Sequence, residues 1–398
     1  MNLRVDESRA VGHLMDLLSV PGGSGSEGPV AALVCEKLRA AGVPAEWMKH
    51  DRAHERIRRA FGPAAPSFEV GNLIVKIPGT RPGARRLGLA HMDTVPLCRG
   101  ARPVRRGNFI RPAGKTGLGA DNRVGVAAWV TMIETLVREW RPHPPLTIVF
   151  TIAEEIGLYG AKFLRWSELG RPAMAFNIDC GEADRIVIGA IGARNWEAHV
   201  HGWSSHAGIR PEEGVSAILI ASRAIERAAA RGYFGRIVQG RRKGTANAGV
   251  IRGGEATNEV TQYVYVRGEC RSHHPNFLEA IVRQWRRAFE EAARDVRNVE
   301  GRTGRVEFRA ISDYPSFRLP KNHPAVRFAL AAMRAVGIKA ETGILDGGLD
   351  ANPLNAAGVP TITFGAGQHR AHSLDEYVNI REYLAGCQLA LQLATAPD

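Results

Sequence analysis

The chain has 398 residues, 44% hydrophobic and 23% charged, which is enough for two domains with ample cores and excludes long disordered spans. A formal charge of +13 would suit an anionic partner. However, acids interleave the basic run at 49–59, and neither it nor the runs at 102–111 and 241–243 carries an aromatic stacking pattern, so a solvated arginine-rich surface and no specific nucleic acid are expected. Five scattered cysteines without a Cys-x-x-Cys exclude a disulfide framework or thiolate zinc site, and with no apolar run near membrane length and no signal-like N-terminus, a cytoplasmic protein without a membrane partner is expected.

In chain order, prolines and a glycine at 60–67 predict a surface loop before a strand at 72–77. A short apolar run from Gly88 then ends at His91-Met-Asp93. Residues two apart in a strand share a face, so Asp93 is placed to reach the far ring nitrogen of His91 and fix its tautomer. Asp121 precedes a helix predicted over 122–140. The apolar, β-branched run 146–153 reads as a strand buried on both faces and stops at Glu154-Glu155. A shorter helix is predicted over 159–168, and a strand over 173–178 stops at Asp179.

Residues 195–308 change the pattern: a strand (196–201), a helix (215–230), two strands (245–251 and 260–270), a long helix (277–296) and a last strand near Val306. This β-α-β-β-α-β order predicts a four-stranded, ferredoxin-like α+β sheet with two helices on one face, inserted into the first domain. Beyond it come a strand at 359–364, a glycine-bearing loop to His372 and a helix over 378–393. The organisation read from the sequence is therefore a catalytic domain at 1–194 and 311–398, interrupted by a lid at 195–310.

Strands alternating with helices outside the insert predict an α/β fold with a mostly parallel sheet and helices on both faces. Ligands in such sheets gather beyond the carboxyl ends of the strands, where His91, Asp121, Glu154, Glu155, Asp179 and His372 all fall. Two divalent cations need such a set: imidazole and carboxylate ligands with one carboxylate shared between the ions. If Asp121 is shared, His91 and Asp179 complete one ion and Glu155 and His372 the other. Glu154 is left over, beside the metals, as a general base. Zinc is the expected metal, with manganese or cobalt fitting the same ligands.

The motifs His91-Met-Asp93-Thr, Gly119-Ala-Asp121-Asn-Arg-Val-Gly125, Glu154-Glu155-Ile-Gly-Leu-Tyr-Gly160 and Gly347-Gly-Leu-Asp350 resemble the signatures of the dinuclear-zinc exopeptidases. That family includes peptidase T, glutamate carboxypeptidase, aminoacylase and succinyl-diaminopimelate desuccinylase. The resemblance runs over nearly the whole chain and is strongest toward the peptidase T-like branch, which the aspartate at 179 favours over branches with glutamate there. It implies a metal-dependent exopeptidase for short peptides, releasing N-terminal residues. It matches His91, Asp121, Glu155, Asp179 and His372 to metal ligands, Asp93 to the orienting carboxylate and Glu154 to the base. It also implies a cis Asp121–Asn122 peptide, a homodimer formed through the lid, and His206 acting across that dimer on the developing oxyanion. Asn258 and Arg271 match lid residues that hold the substrate's carboxylate or backbone, although Arg271 has the alternative of pairing with Glu269 or Glu291, and His206 that of capping a turn. Asp350 suits either a free α-amino group or a helix cap. A carboxypeptidase or amidohydrolase on the same scaffold is the alternative reading, and a non-hydrolytic metal, anion or nucleic-acid binder ranks below it.

Overall fold

The computed structural model describes residues 4–62 and 67–397, so positions 63–66 of the proline-bearing loop predicted at 60–67 lie outside the described residues. Contacts divide the chain into two units, one of Met1–Gly189, Arg318–Leu345 and Leu349–Asp398, the other of Ala190–Phe317 with Asp346–Gly348.

A nine-stranded sheet organises the first unit. Its centre is four parallel strands, in the order Leu146–Thr151, Arg86–His91, Met174–Cys180 and Thr361–Gly365. Antiparallel strands flank them, Leu73–Ile77 on one side and Arg185–Ala190 on the other. The sheet is therefore parallel where the site residues leave it and mixed at its margins.

Alternation along these strands sorts side chains into two cores. Leu73, Val75, Ala90, Ile148 and Phe150 join one cluster, while Ile74, Leu87, Leu89 and Val149 join another on the opposite face. The helix Ala120–Glu139 is buried nearly all round for its first four turns, because it lies between the sheet and further helices. It approaches closely where glycines allow: a Cβ at Gly88 would lie 2.8 Å from the Trp129 ring, and one at Gly125 would lie 2.7 Å from the Ile178 carbonyl oxygen. The Trp129 indole N–H donates to Leu89 O at 2.8 Å, tying the helix to the strand that ends in His91.

The second unit is an antiparallel sheet of five strands rather than the predicted four. The additional strand, Gly235–Gln239, forms a hairpin with Arg242–Gly253 and is short, exposed and flanked by glycines, so its apolar pattern is too weak to read. The predicted helices are present as Ala217–Ala230 and Pro275–Asp295, and they pack around Trp196, which stacks on Trp285 at 4.6 Å and on Phe308 at 5.5 Å.

Two further differences lie in the first unit. The helix predicted over 159–168 is only Tyr159–Lys162 followed by a 3-10 turn at Trp166–Glu168. The last helix starts at Ile380, because Tyr377–Asn379 is a strand of a small sheet with Phe109–Pro112, Pro103–Arg106 and Gln368–His369 that the sequence did not reveal. Among the described residues, no helix is long and apolar enough to cross a membrane.

Candidate active site

His91 ends its strand almost fully buried, at 1% exposure. Its Nε2 stands 3.1 Å from Asp121 Oδ1, 3.5 Å from Asp179 Oδ1 and 3.9 Å from Glu154 Oε2. The other Asp121 oxygen, Oδ2, is 3.6 Å from His372 Nε2, which lies 2.9 Å from Glu155 Oε1. Asp121 thus presents one oxygen to the His91 and Asp179 group and the other to the Glu155 and His372 group. His91, Asp121 and Glu155 each place a donor atom within 4.8 Å of the others.

Asp121 is held from both sides. Its peptide bond to Asn122 is cis, as the resemblance implied. Asn122 Oδ1 accepts from Gly125 N at 3.1 Å, capping the helix, and its amide donates to Ile178 O at 2.6 Å, a bond an ionised aspartate could not make. The buried Glu376 accepts from the backbone N–H groups of Leu118 (2.6 Å), Gly119 (2.8 Å) and Asp121 (3.1 Å). Glu376 lies four residues past His372, so one carboxylate ties the His372 loop to the Asp121 turn.

Asp93 does more than orient His91. The strand has ended by this point, so simple alternation no longer applies. His91 Nδ1 faces the Asp93 backbone oxygen at 3.0 Å and its carboxylate at 3.4 Å. That carboxylate also accepts from Ser24 Oγ (2.6 Å), Glu154 N (3.0 Å) and Glu155 N (3.2 Å), which fixes the turn carrying both glutamates. Ala153, just before them, sits at φ 51°, and His372 at φ 61°. Left-handed backbone costs such residues about 1–3 kcal/mol and persists only where surroundings enforce it.

The electrostatics of the cluster favour a cation. Burial pushes the Asp179 carboxyl up to about 7, with Asp121 adding to the rise against the pull of His91. Burial likewise raises Glu154 well above the usual carboxylate range, and Asp179, Asp350 and Glu155 add to it. Burial opposes the charged form of His91, yet the Asp179 and Glu154 charges and the bond to Asp121 hold it well above an ordinary histidine. So many acids cannot all ionise in a buried rim without positive charge, and their nitrogen and oxygen donors are those hard divalent ions and zinc accept. The residues present therefore fit a dinuclear metal site.

The other predicted residues stand as follows. Asp350 is 1% exposed; it accepts a hydrogen bond from Thr151 Oγ1, makes no side-chain cap to its helix, and leaves Oδ1 without a partner. Burial raises it to about 6. In the second unit, His206 is exposed and its Nδ1 accepts from Gly208 N at 3.2 Å, bracing its own turn. Asn258 is exposed, and its backbone oxygen accepts from Ala207 N at 2.9 Å, so the two loops are joined. Arg271 forms a two-pronged pair with Glu269 at 3.0 and 2.9 Å, the first of its alternatives.

Comparison with known proteins shows the family. The profile of peptidase family M20/M25/M40 matches residues 88–396. The chain belongs to that family. It is accordingly a hydrolase of the M20 metallopeptidase class. The uncharacterized protein YqjE of Bacillus subtilis is 30% identical over 390 residues, covering 98% of each chain. Peptidase T of Vibrio cholerae is 27% identical over 72% of this chain and 67% of its own length. Among solved structures, a tripeptidase from Staphylococcus aureus superposes with a TM-score of 0.84 at 29% identity, and aminopeptidase PepT from Bacillus cereus with 0.81 at 29%, each covering 98% of both chains.

Sequence reasoning missed part of this M20 site. Ser24, Glu27, Arg123 and Glu376 are brought to the rim, the last three buried. Glu27 and Arg123 are charged residues at positions that fold inward, a signal visible only once the helices starting at Gly28 and Ala120 are placed.

Proposed function

We propose that the protein is a peptidase T-like aminopeptidase that removes N-terminal residues from di- and tripeptides, with Glu154 as general base. The observation that carries this is the position of Glu154: buried, 3.9 Å from His91 Nε2, and outside the His91, Asp121 and Glu155 group. In this reading Asp121 is shared, His91 and Asp179 complete one metal site, and Glu155 and His372 complete the other. Two divalent cations so held would polarise the scissile carbonyl and acidify a water beside it.

Glu154, with its carboxyl raised by burial, accepts the proton of the attacking water and returns it to the departing amine. Asp93 holds the His91 ring and the Glu154-Glu155 turn in place while this happens. Asp350, with a free carboxylate oxygen, takes the substrate's α-amino group. His206, supplied across a homodimer, donates to the oxyanion, and Asn258 and Arg271 hold the far carboxylate or backbone, for which a planar guanidinium suits. The tripeptidase and PepT similarities support the substrate class.

The test is mass spectrometry of tripeptides with free and blocked N-termini incubated with the metal-loaded protein. Release of the first residue from free peptides only is expected. Cleavage of blocked peptides or release of C-terminal residues would move the assignment to an amidohydrolase or carboxypeptidase.

A further inference from the structure

Glu27 immediately precedes the helix Gly28–Ala40, yet its carboxylate makes no cap to that helix; Glu69 Oε2 accepts the Gly28 N–H instead, at 3.0 Å. Fully buried, Glu27 directs Oε1 to the backbone N–H groups of Gly25 (3.0 Å) and Ala153 (2.9 Å). The next two N–H groups along the chain, those of Glu154 and Glu155, go to the two oxygens of Asp93 at 3.0 and 3.2 Å. Three successive amides at the end of one strand are thus gripped by two buried carboxylates. Ala153, the residue Glu27 holds, has the left-handed φ of 51° that turns the chain so that Glu154 and Glu155 project together.

The segment before Glu27 docks on the same elements: Thr94 N donates to Gly22 O at 3.1 Å, Arg123 Nη2 donates to the same oxygen at 3.1 Å, and Ser24 Oγ donates to Asp93. The turn from Gly22 to Glu27 therefore forms part of the active-site scaffold, although it is distant in sequence from every other site residue.

We propose that Glu27 is a positioning residue for the M20 reaction: through the Ala153 N–H it sets where the base Glu154 and its neighbour Glu155 emerge. The carboxylate acts by reach and acceptor geometry, since a single oxygen bridges two amides of different chain segments. Misplacing a reacting group by about 1 Å can cost on the order of 10²-fold in rate.

This inference rests on the peptidase reading, so its test carries a readout that does not. Three full-length variants are compared with wild type: Glu27→Ala, Glu27→Asp, which shortens the reach by one methylene, and Glu27→Gln, which keeps an acceptor oxygen at full reach. In hydrogen exchange of the metal-free proteins, amides at 153–156 are expected to exchange faster in Glu27→Ala and Glu27→Asp and at the wild-type rate in Glu27→Gln. In tripeptide turnover of the metal-loaded proteins, well below each melting temperature, Ala and Asp variants should lose kcat on the order of 10²-fold with KM nearly unchanged, and Gln should stay within about 3-fold of wild type. If Glu27→Ala does not fold, the Asp and Gln pair decides alone. Unchanged exchange at 153–156 in the Asp variant, unchanged kcat there, or a Gln loss equal to that of Asp would overturn the proposal. Absence of turnover in wild type would instead count against the peptidase reading, while the exchange result would still report on Glu27.

Discussion

At the rim of the nine-stranded sheet, His91, Glu154 and Asp179 lie buried within 3.9 Å of one another or of a shared partner, each with its protonation displaced. In the second unit the residues assigned to substrate behave in the opposite manner: His206 and Asn258 are exposed, and Arg271 is already satisfied by Glu269. The first arrangement is braced by protein hydrogen bonds through Asp93, Asn122 and Glu376. In the second, His206 and Arg271 bond locally through their side chains and Asn258 through its backbone oxygen. The proposed catalytic residues thus sit where backbone N–H groups anchor carboxylates, and the proposed recognition residues of the second unit do not. Substitutions in the two regions test that division of roles.

The largest effect is expected from Glu154→Gln, which should lower kcat by about 10²–10⁴-fold while metal content, measured by inductively coupled plasma mass spectrometry, stays at the wild-type level. Loss of metal together with activity would place Glu154 among the ligands and erase the distinction drawn at the rim.

His206→Ala should cost about 10²–10³-fold in kcat if it meets the oxyanion. Mixing it with the Glu154→Gln chain should restore part of the activity, since a dimer of the two would contain one site with both residues intact. A loss under threefold would leave His206 as the turn brace that its bond to Gly208 already makes it.

Chelation should reveal the charge crowding directly. Asp179 and Glu27 are raised to about 7 and Asp350 to about 6, so each binds its proton more tightly folded than unfolded. Their protonated forms favour the folded state below the unfolded carboxyl range, and that contribution is lost as pH rises through 6 to 7. The metal-free protein should therefore melt at progressively lower temperature between pH 5 and 8. Divalent cation at about a thousand times its dissociation constant should raise the melting temperature by roughly 10 °C at the alkaline end. A flat metal-free profile would contradict the crowding.

The smallest effects are expected at Arg271 and at a surface ion pair. Arg271→Ala should raise KM about tenfold with little change in kcat. Removing the surface pair of Arg231 with Glu291 should change stability by less than about 1 kcal/mol in a urea titration.

The rim was legible in the sequence where a proposed ligand follows an apolar run that marks a buried strand, as at His91, Glu155 and Asp179; Asp121 instead opens a helix and His372 ends a loop. The parallel centre of the sheet followed from the same alternation. What the sequence concealed has physical reasons. Gly235–Gln239 has too little apolar content to announce a strand, and Tyr377–Asn379 borrows its strand character from pairing with Phe109–Pro112. The anchoring carboxylates Glu27 and Glu376 bond backbone N–H groups far along the chain, an interaction that leaves no local spacing to detect.

In the proposed reading Asp121 is shared by two cation sites, one completed by His91 and Asp179 and the other by Glu155 and His372. Zinc stoichiometry at saturation tests that sharing, in the wild-type protein and in Asp121→Ala and Asp179→Ala. Two equivalents are expected in wild type, one in Asp179→Ala and at most one in Asp121→Ala. Saturation of wild type at one equivalent, or retention of two by Asp121→Ala, would rule out a shared Asp121.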